Sequence, residues 1–190
     1  MTAKAPDLQT FIDRESIRDC LARLARGEDR REAETLKGCF WPDSSFDYGV
    51  YAGNFSEYLA WVVPGAAAIT NTQHVLGQST IELAGDTAKA ETHVISYHRV
   101  NMAAEGQPSD ERDSVIGGRY LDHMKKRATP NGDSEWRIVQ RVMLYDWFQD
   151  WGGSVDWSQG VMGYPFSNTH YTGRAIGDYS ESFFGGGKAR

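Results

Sequence analysis

At 190 residues, 40% of them hydrophobic and 12% aromatic, the chain carries enough apolar surface to fill one compact interior. A formal net charge of −6, with acidic and basic residues interleaved and no basic stripe, argues against nucleic acid as a partner. No apolar run approaches the roughly 18 residues of a membrane span, and the first residues lack the apolar core of a signal peptide. Cys20 and Cys39 therefore read as buried free thiols of a cytoplasmic protein.

Ile17, Cys20, Leu21 and Leu24 recur at helical spacing and predict an amphipathic helix from about Asp13 to Arg26. Gly27 is expected to loosen or end it, leaving Asp29 at the break. A second short helix carries Ala33, Leu36 and Phe40 on one face and stops at Pro42-Asp43, since proline disfavours helix in the preceding residue. Phe46 to Tyr51 reads as a short strand. Asn54 and Glu57 form a capping box for a third helix through Tyr58, Leu59 and Trp61, which Pro64-Gly65 ends early.

From His74 onward the apolar period becomes two. Gln73–Leu83 and Thr87–Asn101 read as long strands joined by a turn at Ala84-Gly85-Asp86. Arg112–Arg127 and Glu135–Trp147 form another pair, joined across Thr129 to Asp133. Helices followed by a meander of antiparallel strands predict an α+β fold, the helices packed on one face of a curved sheet. Residues 1–150 are the expected domain. Residues 151–190, rich in Gly, Ser, Tyr and Phe with little periodicity, are an extension acting as a lid, an oligomer arm or a tail.

Thr72-Gln73-His74 sets a lone histidine at the start of the alternating run. Histidine titrates near neutrality and works best as a base when a carboxylate fixes its tautomer. Asp29 is the candidate carboxylate, with a simple helix cap as its plainer role. On the second long strand His98 shares a face with Ala88, Ala90, Thr92, Val94 and Ser96, and these small residues suit a pocket wall. His93 lies on the opposite face, so the two histidines make a poor metal pair. His123 and His170 lack acidic or cysteine company at ligand spacing, and no metal is predicted. Nor does a nucleophile elbow or dinucleotide fingerprint call for a cofactor. Trp41, Tyr48, Tyr51, Tyr58 and Trp61 cluster as core or as the wall of a pocket for an aromatic small molecule. Arg119 and Arg141 could orient a phenolate or carbonyl, although exposed strand positions are the plainer reading.

The order and spacing of these segments resemble the nuclear transport factor 2-like superfamily, and within it the SnoaL-like branch that holds scytalone dehydratase and hexachlorocyclohexane dehydrochlorinase. The resemblance runs from about Asp13 to Trp147. Gly27 to Arg31 matches the segment of the family's catalytic Asp, Phe46-Asp47-Tyr48 the dehydratase strand with a catalytic Tyr, and Thr72-Gln73-His74 the segment of the catalytic His. Ser96 to Arg99 matches the strand of a second His with a one-residue shift, and Gly117 to Tyr120 and Trp136 to Ile138 resemble later strands. The resemblance implies a cone-shaped barrel and a cofactor-independent lyase acting on a hydroxylated aromatic or polycyclic molecule, by loss of water first, with loss of halide or of formaldehyde as the alternatives. Asp29, His74, Tyr48 and His98 would be catalytic, with Tyr51, Trp61, Arg119 and Tyr120 at the substrate. It also implies a homo-oligomer, a trimer before a dimer. A polyketide-type cyclase or isomerase, a non-catalytic binding module and a dioxygenase β-type subunit are the alternatives. One departure concerns the substrate: the dehydratase has a Tyr just before its catalytic Asp, where this chain has Glu28.

Overall fold

A computed structural model describes residues 7–63, 68–103 and 107–166 together with 180 and 183. Pro64-Gly65, His170 and most of the expected extension lie outside the described residues. Helix α1 spans Leu8–Arg30, opened by the Asp7 carboxylate, which accepts from the Thr10 N–H at 2.8 Å. It does not end at Gly27. The missing side chain there answers to packing, because a Cβ would come within 2.9 Å of Leu36 Cδ2. The helix runs on to Arg31, left-handed at φ 54°, and so holds Glu28 and Asp29 buried in its last turn.

Helix α2, Ala33–Lys37, is shorter than the sequence suggests, and Phe40 belongs to strand β1, Phe40–Asp47. Pro42 therefore sits inside a strand instead of stopping a helix. It is accommodated because the pairing of β1 breaks register between Phe40 and Ser45, where no ladder N–H is needed. Strand β2, Ala52–Asn54, leads into α3, Phe55–Val62, through the expected capping box of Asn54 and Glu57.

Four long strands follow: β3, Ile69–Ala84; β4, Thr87–Asn101; β5, Glu111–Ala128; and β6, Ser134–Gly153. The sheet order is β2-β1-β6-β5-β4-β3, antiparallel except between β1 and β6. Register shifts that place extra residues in β3 and β6 bend the long strands. Among the described residues β2 and β3 remain unpaired edges, so the cone is an open curved sheet and not a closed barrel. The helices cover one face, sealing Ile17, Leu24, Leu36, Phe40, Tyr58 and Ile138 into a single core. Cys20 and Cys39 are buried in it as free thiols.

The last long strand crosses residue 150. Ser154 still donates its N–H to the Glu111 carbonyl and its hydroxyl to Asp113, so the sheet is pinned a few residues later than expected. Beyond it, β7 (Gly160–Val161) and β8 (Tyr164–Pro165) form a small hairpin with Val161, Met162 and Tyr164 exposed. Farther on, Ser180 accepts from Arg26 on α1 at 3.2 Å. No described helix is long and apolar enough to cross a membrane.

Candidate active site

The end of α1 meets the start of β3, and the contact is polar. His74 directs its ring Nδ1 to Asp29 Oδ1 at 2.7 Å, while its backbone N–H donates to both Asp29 oxygens at 3.1 and 3.0 Å. The carboxylate is thus held by main chain and ring together. A carboxylate can only accept, so Nδ1 carries the proton and Nε2 is left with its lone pair. Nε2 faces a cavity of about 320 Å³ walled by both edges of this junction and by the sheet.

Burial opposes a charge on His74. The hydrogen bond to Asp29 and the negative charges of Glu28 and Asp29 outweigh it, and the pKa stands above the ordinary histidine value. His98 is the contrast. In the β3–β4 ladder it pairs with Thr72, as His74 pairs with Ser96, which brings the two rings to 5.9 Å in a T-shaped arrangement. Burial and the neighbouring His74 push the His98 pKa down to about 4, so it is neutral near pH 7; its Nδ1 has no partner among the described residues. One imidazole is tuned to take a proton and the other to stay neutral.

Tyr48 closes the site from the end of β1. Its hydroxyl lies 3.4 Å from Glu28 Oε1, an oxygen that also accepts from Tyr58. Burial, then the charge of Glu28, raises the Tyr48 pKa, so the phenol keeps its proton. Trp61 and Tyr120 line the same cavity, the Tyr120 ring edge-on to Tyr48 at 6.5 Å.

Of the sequence-derived candidates, Asp29, His74, Tyr48, His98, Trp61 and Tyr120 converge on this place. Two do not. Tyr51 stands behind the wall, stacked on Trp61 at 5.1 Å, and supports that ring without lining the cavity. Arg119 precedes the inward Tyr120 on β5 and so points outward, where it pairs with Asp146 at 3.0 Å and Glu91 at 3.4 Å. Arg141 is not an exposed strand arginine either. It is buried, bonds Asp122 through two nitrogens at 2.7 and 2.9 Å, and lies 4.0 Å over the Tyr120 ring, fixing that wall from behind. The sequence reading missed Thr72 and Glu28 as lining residues, while Ser96 lines the cavity from the small-residue face expected to wall it. Thr72 was available from alternation, since it lies two residues from His74. Among the described residues no group of three or more His, Cys, Asp and Glu side chains could hold a metal ion.

A sequence profile of the SnoaL-like domain matches residues 9–142. Similar solved structures include a hexachlorocyclohexane dehydrochlorinase from Novosphingobium barchaimii, with 17% identity and a TM-score of 0.63 over 85% of this chain and 99% of that one. A protein of Novosphingobium aromaticivorans with a provisional scytalone dehydratase assignment gives 16% identity and 0.60, over 82% and 97%. A nuclear transport factor 2-like protein from Salmonella enterica serovar Typhimurium gives 20% and 0.58, over 72% and 92%. At these identities the likeness is one of fold. A search of curated proteins finds no match.

Proposed function

The chain belongs to the SnoaL-like family, and from that premise we propose a cofactor-independent lyase that removes water from a hydroxylated aromatic or polycyclic small molecule. One observation carries the reading: a buried His74 fixed at Nδ1 by Asp29, with Nε2 turned into an aromatic-walled cavity.

In this reading Nε2 takes a proton from a carbon of the substrate, and the electrons of that C–H bond form a carbon–carbon double bond. The adjacent C–O bond breaks, and the departing hydroxide collects the proton from the imidazolium, so that water leaves and His74 is reset. Asp29 stabilises the imidazolium in between, its charge sitting 2.7 Å from the Nδ1 proton donor. Tyr48 and the neutral His98 act as dipoles toward oxygen on which charge develops. Neither is suited to give its proton away, Tyr48 because its pKa is raised and His98 because, with a pKa of about 4, it is already neutral near pH 7.

The test is a panel of hydroxylated aromatic compounds incubated without added cofactor and followed by ultraviolet absorbance and product mass. Elimination by the wild type, absent in a folded His74→Ala variant, is expected. A panel turned over equally by both proteins would remove His74 from the chemistry.

A further inference from the structure

The cavity contains a carboxylate that the proposed reaction leaves idle. Glu28 immediately precedes Asp29, yet the two stand on opposite sides of the same ring. Asp29 holds Nδ1, and Glu28 lines the cavity with Oε2 3.8 Å from His74 Nε2.

Its two oxygens have different surroundings. Oε1 accepts from Tyr58 and, more distantly, from Tyr48, which anchors the group. Oε2 is buried without a hydrogen-bond partner among the described residues. A purely structural glutamate would be expected to satisfy both oxygens, because a buried acceptor without a donor is unfavourable. Thr72 Oγ1 and His98 Nδ1 are also buried without partners, and both residues line the same cavity. Much of the remaining wall is Trp61, Tyr120, Ile116 and Met143, which cannot satisfy a polar ligand by charge. The buried polar atoms of the pocket that have no partner among the described residues are therefore concentrated beside His74.

We infer that Glu28 Oε2 is the receptor for a hydroxyl group of the ligand, making Glu28 the residue that selects phenols and alcohols over halogenated or etherified analogues of the same shape. The inference deepens the substrate reading above and rests on it for the identity of the cavity. An ionised carboxylate accepts from O–H in the short, strong class of hydrogen bond, whereas it repels the lone pairs of a halogen or an ether oxygen. With the hydroxyl held by Oε2, 3.8 Å from Nε2, the base is directed at the carbon next to the one that bears the hydroxyl, where the proton must be taken for elimination. Tyrosine at this position would supply a donor, and glutamate supplies an acceptor. The departure at Glu28 thus changes which substrate group is recognised while leaving the base untouched.

Three probes of similar shape test this: 2-naphthol, 2-methoxynaphthalene and 2-chloronaphthalene. Their binding to the full chain is read by calorimetry and by quenching of tryptophan fluorescence, since Trp61 lines the cavity. Wild type is expected to bind 2-naphthol at least tenfold more tightly than either analogue, about 1.4 kcal/mol. Glu28→Gln keeps the side-chain volume and an oxygen for Tyr58, and should cut that preference to about threefold or less, by weakening naphthol alone. Glu28→Met should abolish the preference. Equal affinity of the wild type for all three probes, failure of all three to bind, or a preference undiminished in Glu28→Gln would each overturn the inference. The wild-type comparison stands even if a variant does not fold. A hydroxyl preference without turnover of any hydroxylated compound would sink the lyase reading and spare Glu28, and turnover without the preference would do the reverse.

Discussion

Replacing Asp29 by asparagine isolates the charge from the shape of the His74 support. The carboxylate makes three contacts, to Nδ1 at 2.7 Å and to the His74 backbone N–H at 3.1 and 3.0 Å. Asparagine offers one acceptor oxygen, so its NH₂ must face either the ring N–H or the backbone N–H, both donors. Hydrogen bonds to a charged partner contribute about 1.5–3 kcal/mol, roughly twice a neutral bond. The imidazolium formed during proton abstraction should lose about 1–3 kcal/mol of that support, a reduction of roughly 5- to 160-fold in kcat/KM. The pH profile carries the sign. In the wild type the His74 pKa is raised above 6.5, so the acid limb of kcat/KM lies above that value, and rates rise as the base deprotonates. Without the Asp29 charge the limb moves to lower pH, even as the plateau falls. Stopped absorbance assays of elimination across pH, with an NMR titration of the His74 ring, would read both effects. A variant within twofold of wild type, with the acid limb unmoved, would refute the dyad.

Three further outcomes follow from the same structure. His98, with its pKa at about 4 in the folded chain and ordinarily 6.5, contributes stability that is fully present above 6.5 and is lost as pH falls toward 4. The loss is at most about 3 kcal/mol, and urea titrations of wild type and His98→Gln across this window should converge at acid pH. Asp122→Ala strands the buried Arg141 guanidinium and should cost about 3–5 kcal/mol in thermal or denaturant unfolding, much more than replacing both residues by apolar ones. On the outer face Val75, Ile95 and Trp147 form an exposed apolar row across paired strands, with the Trp147 ring lying over Gly117. Self-association through this face is expected, a trimer before a dimer, and a strict monomer in light scattering at micromolar concentration would contradict it.

The elements that were legible in the sequence are those whose own residues determine them. The apolar spacing from Ile17 to Leu24, the Asn54 and Glu57 capping box and the alternation through β3 to β6 are local signals, and the strands appear within a few residues of where alternation puts them. Errors arose where a distant partner decides. Gly27 looks like a helix end, but its reason is Leu36 packed against it from α2. Pro42 looks like a helix stop, yet an irregular stretch of pairing with β6 tolerates it in a strand. At the site, His74 and Asp29 were legible through their chemistry and spacing. Arg119 was misplaced because charge was weighed ahead of alternation, which gives the inward position to Tyr120. Tyr51 was misplaced because an aromatic cluster does not reveal which ring is in front.

The bare polar atoms of the cavity also bear on whether a non-catalytic role would suffice. A subunit kept only for shape gains nothing from a buried Glu28 Oε2, Thr72 Oγ1 and His98 Nδ1 that no group among the described residues satisfies. Each such atom costs about 1–3 kcal/mol against an apolar residue of like size, a large share of the 5–15 kcal/mol by which a domain is stable. The scaffold has solved this problem elsewhere: Asp122 is matched by Arg141, and Asp113 by Arg99, Tyr97 and Ser154. Satisfaction is therefore within reach of this fold, and its absence is concentrated on one wall. That wall is also where the last turn of α1 sets one carboxylate behind the His74 ring and a second in front of it. Unspent hydrogen-bonding capacity around a fixed base is what a site for a hydroxylated ligand requires and what a spacer does not.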